Sequence, residues 1–539
     1  MRSIEIPQPK DRDFRYRLFE ILPGALTWSI LALPIVLSIV SPLAAAYFVI
    51  AYLLLWFVRA IGIDIRSIQG WRTMNQHKNL DWKKLNADLE ILEPRTKNAP
   101  KWHASNIARV ERNIAHSSRI KPSEVFHVMM IALYKESIEV IQPTFKSVLD
   151  SDYDPKKIIV FLAYEERGGP QAADIAQKLV KLHAKDFYYI QAVMHPGDIP
   201  GEVIGKGGNI TYAGRQLQAY LEKEKIDPLD VLVTTLDADN RPDPQYLGAL
   251  TYTYCSTEEP KYSSYQPIPM FLNNIWDAPA PMRVIATGNS FWNIILSTRP
   301  HMLRNFSSHA QPMAALIDTD FWSVRTIVED GHQFWRSWFR YDGKHEVYPI
   351  YLPIYQDAVL SETYRRTIKA QFKQVQRWAW GASDIAYFAN QGFFKINNIP
   401  MHKKIAKFGR LLEGHISWST APLILLLAAY PPLFLHPQSF VGNELPQFAS
   451  ALQRVAMAGI AISLFLCIRT LPPKPERYRR HRTIWMVLQW VYLPITSIIF
   501  SAFAAINSQT RLIFGWYLGF ASTDKATKSK RVDTSELLK

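Results

Sequence analysis

The chain has 539 residues, of which 48% are hydrophobic, and its formal net charge is +15. This length exceeds one ordinary domain, and two cysteines are too few for a disulfide framework. The excess of Lys and Arg would suit nucleic acid, but we expect no nucleic acid partner, because cytoplasmic loops of membrane proteins carry the same excess. Anionic membrane lipids are sufficient partners for the charge.

The N-terminal part of the chain carries the first two apolar segments. Residues 21–58 contain no charged side chain, and as helix they would be roughly 57 Å long, nearly twice a ~30 Å bilayer core. The dipeptide Ser41-Pro42 divides this stretch. The range 21–62 therefore predicts two transmembrane helices after a cytoplasmic tail at residues 1–20.

The central region alternates between strand-like and helix-like patterns after a polar, cytoplasmic connecting segment at residues 63–121. Short aliphatic runs predict strands, and the amphipathic runs between them predict helices. The strands lie near 125–133, 158–163, 187–194 and 231–236, with helices near 137–149, 172–184 and 211–225. This alternation predicts an α/β domain with a mainly parallel, Rossmann-like sheet whose carboxyl edge binds the ligand.

Three further apolar segments lie at about 416–436, 448–468 and 484–506. They predict about three transmembrane helices within residues 416–506. Basic residues from Arg469 to Arg482 place the central domain on the cytoplasmic side of a multi-pass protein, which we expect in the cell membrane. Five full spans would put the basic tail at 507–539 outside, so Pro494 is a candidate break at which the last segment turns back.

Asp237-Ala238-Asp239 is the most informative motif, because it directly follows the predicted strand at 231–236. Two carboxylates at the carboxyl end of a buried strand, together with substrate phosphates, are the ligands that hard divalent cations prefer. A surface turn is the ordinary alternative for so short a motif. The motif indicates a candidate site for a metal and a nucleotide diphosphate.

The chain resembles the family 2 glycosyltransferases, and in particular the membrane-embedded type that includes cellulose, chitin and hyaluronan synthases. The resemblance covers roughly residues 122–390 and is carried by Tyr134-Lys135-Glu136, Lys206-Gly207-Gly208-Asn209, Asp237-Ala238-Asp239, Val328-Glu329-Asp330 and Gln374-Val375-Gln376-Arg377-Trp378. The last motif fits Gln-x-x-Arg-Trp and is the most specific. Lys135 and Val328 depart from the family pattern, which has Asn and Thr there.

The resemblance implies a GT-A fold at 122–398, with an interfacial helix at its end and an interfacial segment at 399–415. Asp330 would be the catalytic base, and Asp237 and Asp239 would hold Mg²⁺ or Mn²⁺, with Asp239 as the more direct ligand. The expected nucleotide-sugar contacts are Glu136, Glu165, Glu166, Lys206, Asn209, Asp237, Gln374, Arg377 and Trp378.

Several of these residues have ordinary structural alternatives. The Lys-Gly-Gly-Asn run could be a plain turn, and Glu329 and Asp330 could cap a helix that starts near Gly331. His309 could contact an acceptor or simply pack inside the domain. The segment that carries Arg377 could be an interfacial amphipathic helix without a catalytic role.

These expectations describe a membrane-bound inverting glycosyltransferase that moves a sugar from a nucleotide-diphospho-sugar, expected to be a uridine one, to a growing polysaccharide. Non-processive transfer to a lipid or other acceptor is one alternative, and a catalytically inactive membrane scaffold is another. A transporter is least favoured, because charged residues are scarce inside the predicted spans.

Overall fold

A computed structural model describes residues 4–113, 119–479 and 481–519. Arg480 and the basic positions from Lys525 to Arg531 lie outside these described residues. The described chain forms a central α/β domain between two groups of long apolar helices.

One eight-stranded sheet forms the centre of the α/β domain. Its strands are β1 (Phe126–Leu133), β2 (Ile158–Glu165), β3 (Tyr189–His195), β4 (Val231–Asp237), β5 (Arg241–Pro242), β6 (Ser263–Met270), β7 (Ala310–Pro312) and β8 (Glu346–Tyr355). Their order in the sheet is β3-β2-β1-β4-β7-β6-β8-β5. The pairs among β3, β2, β1 and β4 are parallel, as is β6 with β8, whereas β7 and β5 pair antiparallel with their neighbours. The predicted mainly parallel α/β sheet is confirmed.

The helices account for most of the remaining chain. In chain order they are α1 (Phe14–Val40), α2 (Pro42–Lys78), α3 (Trp82–Ile91), α4 (Lys101–Asn113), α5 (Ile138–Leu149), α6 (Pro170–His183), α7 (Lys206–Glu224), α8 (Tyr246–Cys255), α9 (Ala280–Ser297), α10 (Met313–Asp318), α11 (Glu329–Arg340), α12 (Tyr364–Ala379), α13 (Asp384–Ala389), α14 (Met401–Leu427), α15 (Pro431–Leu435), α16 (Phe440–Ala456), α17 (Gly459–Thr470), α18 (Arg482–Leu488), α19 (Leu493–Thr496) and α20 (Phe503–Phe514).

The aliphatic runs of the sequence form the central strands of the sheet, and these strands are buried. β2 is buried along its whole length, and β4 is buried up to Asp237. Strands that are covered by helices on both faces have continuous apolar sequences of this kind. α7 begins at Lys206 rather than near residue 211, so the Lys-Gly-Gly-Asn run is the first turn of a helix and the alternative of a plain turn is wrong.

Four helical runs of the described chain are long and apolar enough to cross a membrane: α1, α2, Phe440–Thr470 and Arg482–Phe514. α14 contains most of the predicted 416–436 segment but begins earlier, at Met401, and ends at Leu427. Pro431 then starts the short helix α15, because proline lacks the N–H that a continuing helix needs.

The helices on either side of the domain pack into one bundle. Its core joins Val49 of α2, Ile424 of α14 and Leu445 of α16. After α15, His436 donates to the carbonyl of Ser38 near the end of α1 at 2.7 Å. Cys467 of α17 packs in the cluster of the α/β domain that also contains the end of α2. α14–α15 and α16–α17 therefore run in opposite directions along α1 and α2.

The last apolar run, Arg482–Phe514, is helical throughout, with 3₁₀ and π turns in its middle. The predicted turn-back at Pro494 is therefore wrong. Arg283 of α9 donates to Gln489, and Gln376 of α12 donates to Asn507. These two contacts are about 27 Å apart along a helix, which is close to the ~30 Å bilayer core. Because both ends touch the α/β domain, the run lies along that domain.

Candidate active site

The candidate site lies at the carboxyl ends of β1 and β4, which are neighbours in the sheet but not consecutive in the chain. Ala132 of β1 is paired with Asp237 of β4. The strand order reverses at this point, because β2 and β3 lie on the other side of β1. Open α/β sheets bind their ligands in the crevice at such a reversal. Asp237 therefore stands where the topology expects a ligand.

Lys206 joins the two predicted carboxylates on either side of this crevice. Its ammonium lies 3.0 Å from Oδ1 of Asp237 and 3.7 Å from Oδ1 of Asp330, and it donates to the carbonyl of Ser307 at 3.1 Å. Burial by itself would lower the pKa of Lys206, but Asp237, Asp330 and Glu329 outweigh burial and hold the pKa above its ordinary value. The ammonium is therefore a fixed positive charge at the sheet crevice.

The neighbouring Gly207 is required by a close backbone approach. A Cβ at this position would lie 2.3 Å from the carbonyl oxygen of Ser323 and 3.2 Å from Cβ of Glu329. A larger residue would push the loop before α11 away from α7 and separate Lys206 from Asp330. The glycine therefore sets the spacing between the lysine and the predicted base.

Glu329 and Asp330 form the first turn of α11, where their charges are favourable for the helix dipole. The helix begins at Glu329 and its N-cap is Val328, so the predicted start near Gly331, with the two acids as caps, is wrong. Glu329 is 1% exposed, whereas the Asp330 side chain is 19% exposed. Burial and the charge of Asp330 raise the pKa of Glu329 to about 7, against the opposing effects of Lys206 and Arg377. Asp330 is therefore the more accessible of the two carboxylates.

His309 lies behind Asp330 and is 1% exposed. Its Nδ1 is 2.9 Å from the carbonyl of Phe306, and its Nε2 accepts from the indole N–H of Trp322 at 3.4 Å. Because a carbonyl only accepts, Nδ1 carries the proton. Nε2 carries no proton while it accepts from Trp322, so the ring is neutral in this arrangement, and burial lowers the pKa of His309. These contacts favour the packing role over the acceptor contact.

Asp239 lies after β4 and is 4% exposed. Its Oδ2 accepts the backbone N–H of Asp357 at 3.0 Å, and its carbonyl accepts from the Asn273 amide at 2.9 Å. Among the described residues, no group of three or more His, Cys, Asp or Glu side chains could hold a metal ion alone. The pair Asp237 and Asp239 fits a hard cation such as Mg²⁺ or Mn²⁺, which takes few carboxylates and fills its remaining positions with phosphate oxygens and water.

Gln374, Arg377 and Trp378 lie on α12 and are half-buried. Arg377 opposes the rise in the pKa of Glu329, so its charge acts at the start of α11. The Trp378 ring is 5.9 Å from the ring of Phe271. α12 therefore brings the charge of Arg377 within electrostatic range of Glu329.

Glu165 and Glu166, at the end of β2, already have internal partners. Glu165 accepts from Arg167 at 2.8 Å and lies 3.2 Å from Nδ1 of His195, while Glu166 accepts the backbone N–H of Gly197 at 2.8 Å. Burial would lower the pKa of His195, but Glu165 and Glu202 raise it above its ordinary value. His195 was missed by the sequence analysis, although its position at the end of β3 was a usable signal.

Glu136 and Asn209 also have internal partners. Glu136 accepts the backbone N–H groups of Tyr134 and Lys135 at 2.8 and 3.1 Å. Asn209 is buried and donates to the carbonyl of Ala163 at 2.8 Å, which fixes α7 to β2. The structure does not bring either side chain to the group formed by Lys206.

Further polar residues that the sequence analysis missed hold the 306–309 loop beside Lys206. Gln356 donates to the hydroxyl of Ser307 at 2.8 Å, and Asn240 donates to that of Ser308 at 2.6 Å. Asn240 lies in the turn after β4, and Gln356 directly follows β8, so polar residues just beyond a strand end were the available signal.

Lys206 and its two carboxylates thus lie in the crevice where open α/β sheets bind their ligands. A family model described as Glycosyl transferase family group 2 matches residues 232–522. The chain belongs to this family, which confirms the resemblance and the GT-A class of the α/β domain. The protein is a glycosyltransferase that uses a nucleotide-sugar.

Solved structures similar to this chain include mannosyltransferase PcManGT from Pyrobaculum calidifontis in complex with GDP-Man and Mn²⁺, at 12% identity over 81% of this chain and 97% of that chain, with a TM-score of 0.35. S. aureus TarS 1–349 in complex with UDP-GlcNAc is similar at 11% identity over 72% and 92% of the two chains, with a TM-score of 0.35. No curated protein sequence matches the chain significantly. The family assignment rests on the family model.

Proposed function

We propose that this protein is a membrane-bound inverting glycosyltransferase that adds a sugar from a nucleotide-diphospho-sugar to a growing polysaccharide. The observation that supports this most strongly is the position of Lys206, 3.0 Å from Asp237 and 3.7 Å from Asp330. The ammonium of Lys206 thus links Asp237, on the donor side, to Asp330, the proposed base. A donor and an acceptor bound on its two sides would meet there.

The donor diphosphate would bind at the carboxyl ends of the strands. Asp237 and Asp239 would hold Mg²⁺ or Mn²⁺, which when bound supplies positive charge to the diphosphate. Lys206 and Arg377 provide further positive charge for the leaving group as its negative charge develops. We expect the nucleotide to be a uridine one.

Asp330 would act on the acceptor. Its carboxylate takes the proton of the acceptor hydroxyl as that oxygen attacks the anomeric carbon. The new glycosidic bond forms as the bond to the diphosphate oxygen breaks, on the opposite face of the sugar, so the anomeric configuration inverts. Trp378 offers an aromatic face beside which an acceptor sugar could lie.

The same proposal includes a membrane topology. α1, α2, α14–α15 and α16–α17 cross the membrane, and Arg482–Phe514 lies along the α/β domain at the cytoplasmic surface. An even number of crossings puts the domain and the C-terminal tail on the same side. That arrangement agrees with the basic residues of the tail, which favour the cytoplasm.

The test is a screen of the purified full-length protein against labelled nucleotide-sugars, with and without divalent metal. We expect metal-dependent transfer from one donor, a ladder of long products on a gel, and a linkage of inverted anomeric configuration by NMR. Short products extractable into organic solvent would instead support transfer to a lipid. Binding of nucleotide-sugars without any transfer would support an inactive scaffold.

A further inference from the structure

The first described residues of the chain do not form a free tail. Ile6 is buried in a core cluster with residues of α11 and α13. The carbonyl of Ile4 accepts from the hydroxyl of Tyr387 at 2.7 Å, and that of Ile6 accepts from Arg325 at 3.0 Å. We call residues 4–6 the N-terminal strap, because they are fastened across the α/β domain before the chain enters α1.

Glu5 makes the main polar contacts of the strap. One oxygen accepts a short hydrogen bond from the hydroxyl of Ser323, and the other lies 3.4 Å from Nη2 of Arg336. Arg336 belongs to α11 and is 1% exposed. Among the described residues, Glu5 is the carboxylate that pairs with this buried charge. Burying a guanidinium is costly unless such a partner is present.

Arg336 in turn holds the loop that leads to Asp330. Its guanidinium donates to the carbonyl of Phe321 at 2.6 Å and to that of Thr319 at 2.8 Å. Asp320 and Phe321 both have positive φ, 51° and 57°. This conformation is unfavourable for residues other than glycine, so the surrounding contacts must maintain it.

The same loop touches the turn that carries Lys206. The carbonyl of Ser323 packs against Gly207, and the carbonyl of Val324 accepts the backbone N–H of Val203 at 2.8 Å. A shift of the 319–328 loop would therefore move the start of α11 relative to the start of α7. These are the two helix ends that carry Asp330 and Lys206.

We propose that the N-terminal strap is a positioning element of the active site and that Glu5 is its positioning residue. Glu5 fixes Ser323 and Arg336, these hold the strained loop, and the loop sets the separation of Asp330 and Lys206. The inference rests on the proposed function for Asp330. Because the strap leads into α1 at Phe14, it also connects α11, the helix that carries Asp330, to α1.

The test compares Glu5→Gln, Ser323→Ala and the double variant with the wild type, all as full-length protein. Asp11→Asn is the matched control, because Asp11 is an exposed acid in the same N-terminal region. We expect about a 10-fold to 100-fold loss of turnover for Glu5→Gln, the range expected when a reacting group is displaced by up to ~1 Å. The KM for the donor should change much less than the turnover, since Asp237 and Asp239 are not part of the 319–328 loop.

Two further measurements separate positioning from general stability. The double variant should be faster than the product of the two single losses predicts, because both changes act on the contact between Glu5 and Ser323. Hydrogen exchange in residues 319–332 should be faster in Glu5→Gln, with exchange in β2 unchanged. If Glu5→Gln does not fold, Ser323→Ala tests the same contact while leaving the carboxylate beside Arg336.

Wild-type turnover in folded Glu5→Gln or folded Ser323→Ala would overturn the proposal. A parallel loss of turnover, donor affinity and melting temperature would also overturn it, since that pattern belongs to a purely structural residue. If the wild type transfers no sugar from any donor, the proposed function fails instead. Hydrogen exchange in residues 319–332 distinguishes the two failures, because it detects the effect of the strap on the loop whether or not the protein transfers sugar.

Discussion

Replacing Asp330 with Asn tests the proposed base directly. Asn has nearly the same shape as Asp, but it cannot take a proton from the acceptor hydroxyl. Oδ1 of Asp330 lies 3.7 Å from both Lys206 and His309, which is beyond hydrogen-bonding distance. The substitution therefore breaks no hydrogen bond to either side chain, and we expect the variant to fold.

The effect on catalysis should be much larger. Loss of a general base typically slows a reaction on the order of 10²–10⁴-fold, which corresponds to about 3–5 kcal/mol in the activation barrier. Donor affinity should be nearly unchanged, because Lys206 keeps its contact with Asp237 at 3.0 Å. The assay measures turnover at saturating donor, donor affinity by titration, and the melting temperature of the same preparation.

Asp174→Asn is the matched control for this substitution. Asp174 is an exposed acid on α6, so we expect unchanged turnover. Near wild-type turnover in Asp330→Asn would refute the assignment, and Asp357, which lies beside Asp239, would be the next base to test. A collapse of donor binding would instead make Asp330 a donor-site residue.

Three further predictions concern the metal site, a buried acid and the topology. Asp239→Asn should lose metal-dependent binding of the nucleotide diphosphate together with turnover; unchanged metal-dependent binding in the folded variant would contradict the metal assignment. Folding raises the pKa of Glu329 from 4.5 to about 7, so the contribution of Glu329 to the free energy of unfolding should fall as the pH rises through that window. Compared with the wild type, Glu329→Gln should lose less stability between about pH 5 and about pH 8, and an identical pH dependence of the two proteins would contradict the raised pKa. Cysteines at Gln171 and Lys528 should resist impermeant thiol reagents in intact cells and react after lysis, with little background because Cys255 and Cys467 are buried; labelling of either position in intact cells would disprove the proposed topology.

The sequence alone predicted the central sheet well, because each of its inner strands is a short aliphatic run. β2 needs apolar side chains on both faces, and that requirement is visible without knowing its neighbours. The acidic motif at the end of β4 was also visible, since carboxylates are rare inside a buried aliphatic run, where an unpaired charge is costly. These are local properties, and local patterns predict them.

The candidate site was predicted only in part. The family pattern identified Lys206 and Asp330, which are 124 positions apart in the chain and 3.7 Å apart in the structure. It did not show that Glu165 and Glu136 are engaged by Arg167 and by backbone N–H groups. Their partners depend on side-chain directions that no sequence spacing fixes.

The sequence by itself determined which segments are apolar, where the strands end and which acids follow them, because hydrophobicity and turn chemistry act over a few residues. Tertiary structure alone decided that the apolar run Arg482–Phe514 lies along the domain, because its length and composition suit a membrane span equally well. The same holds for Glu5, which is 331 positions from Arg336 in the chain and pairs with it only after folding. Contacts of this kind depend on how distant elements pack, and packing is a property of the whole chain.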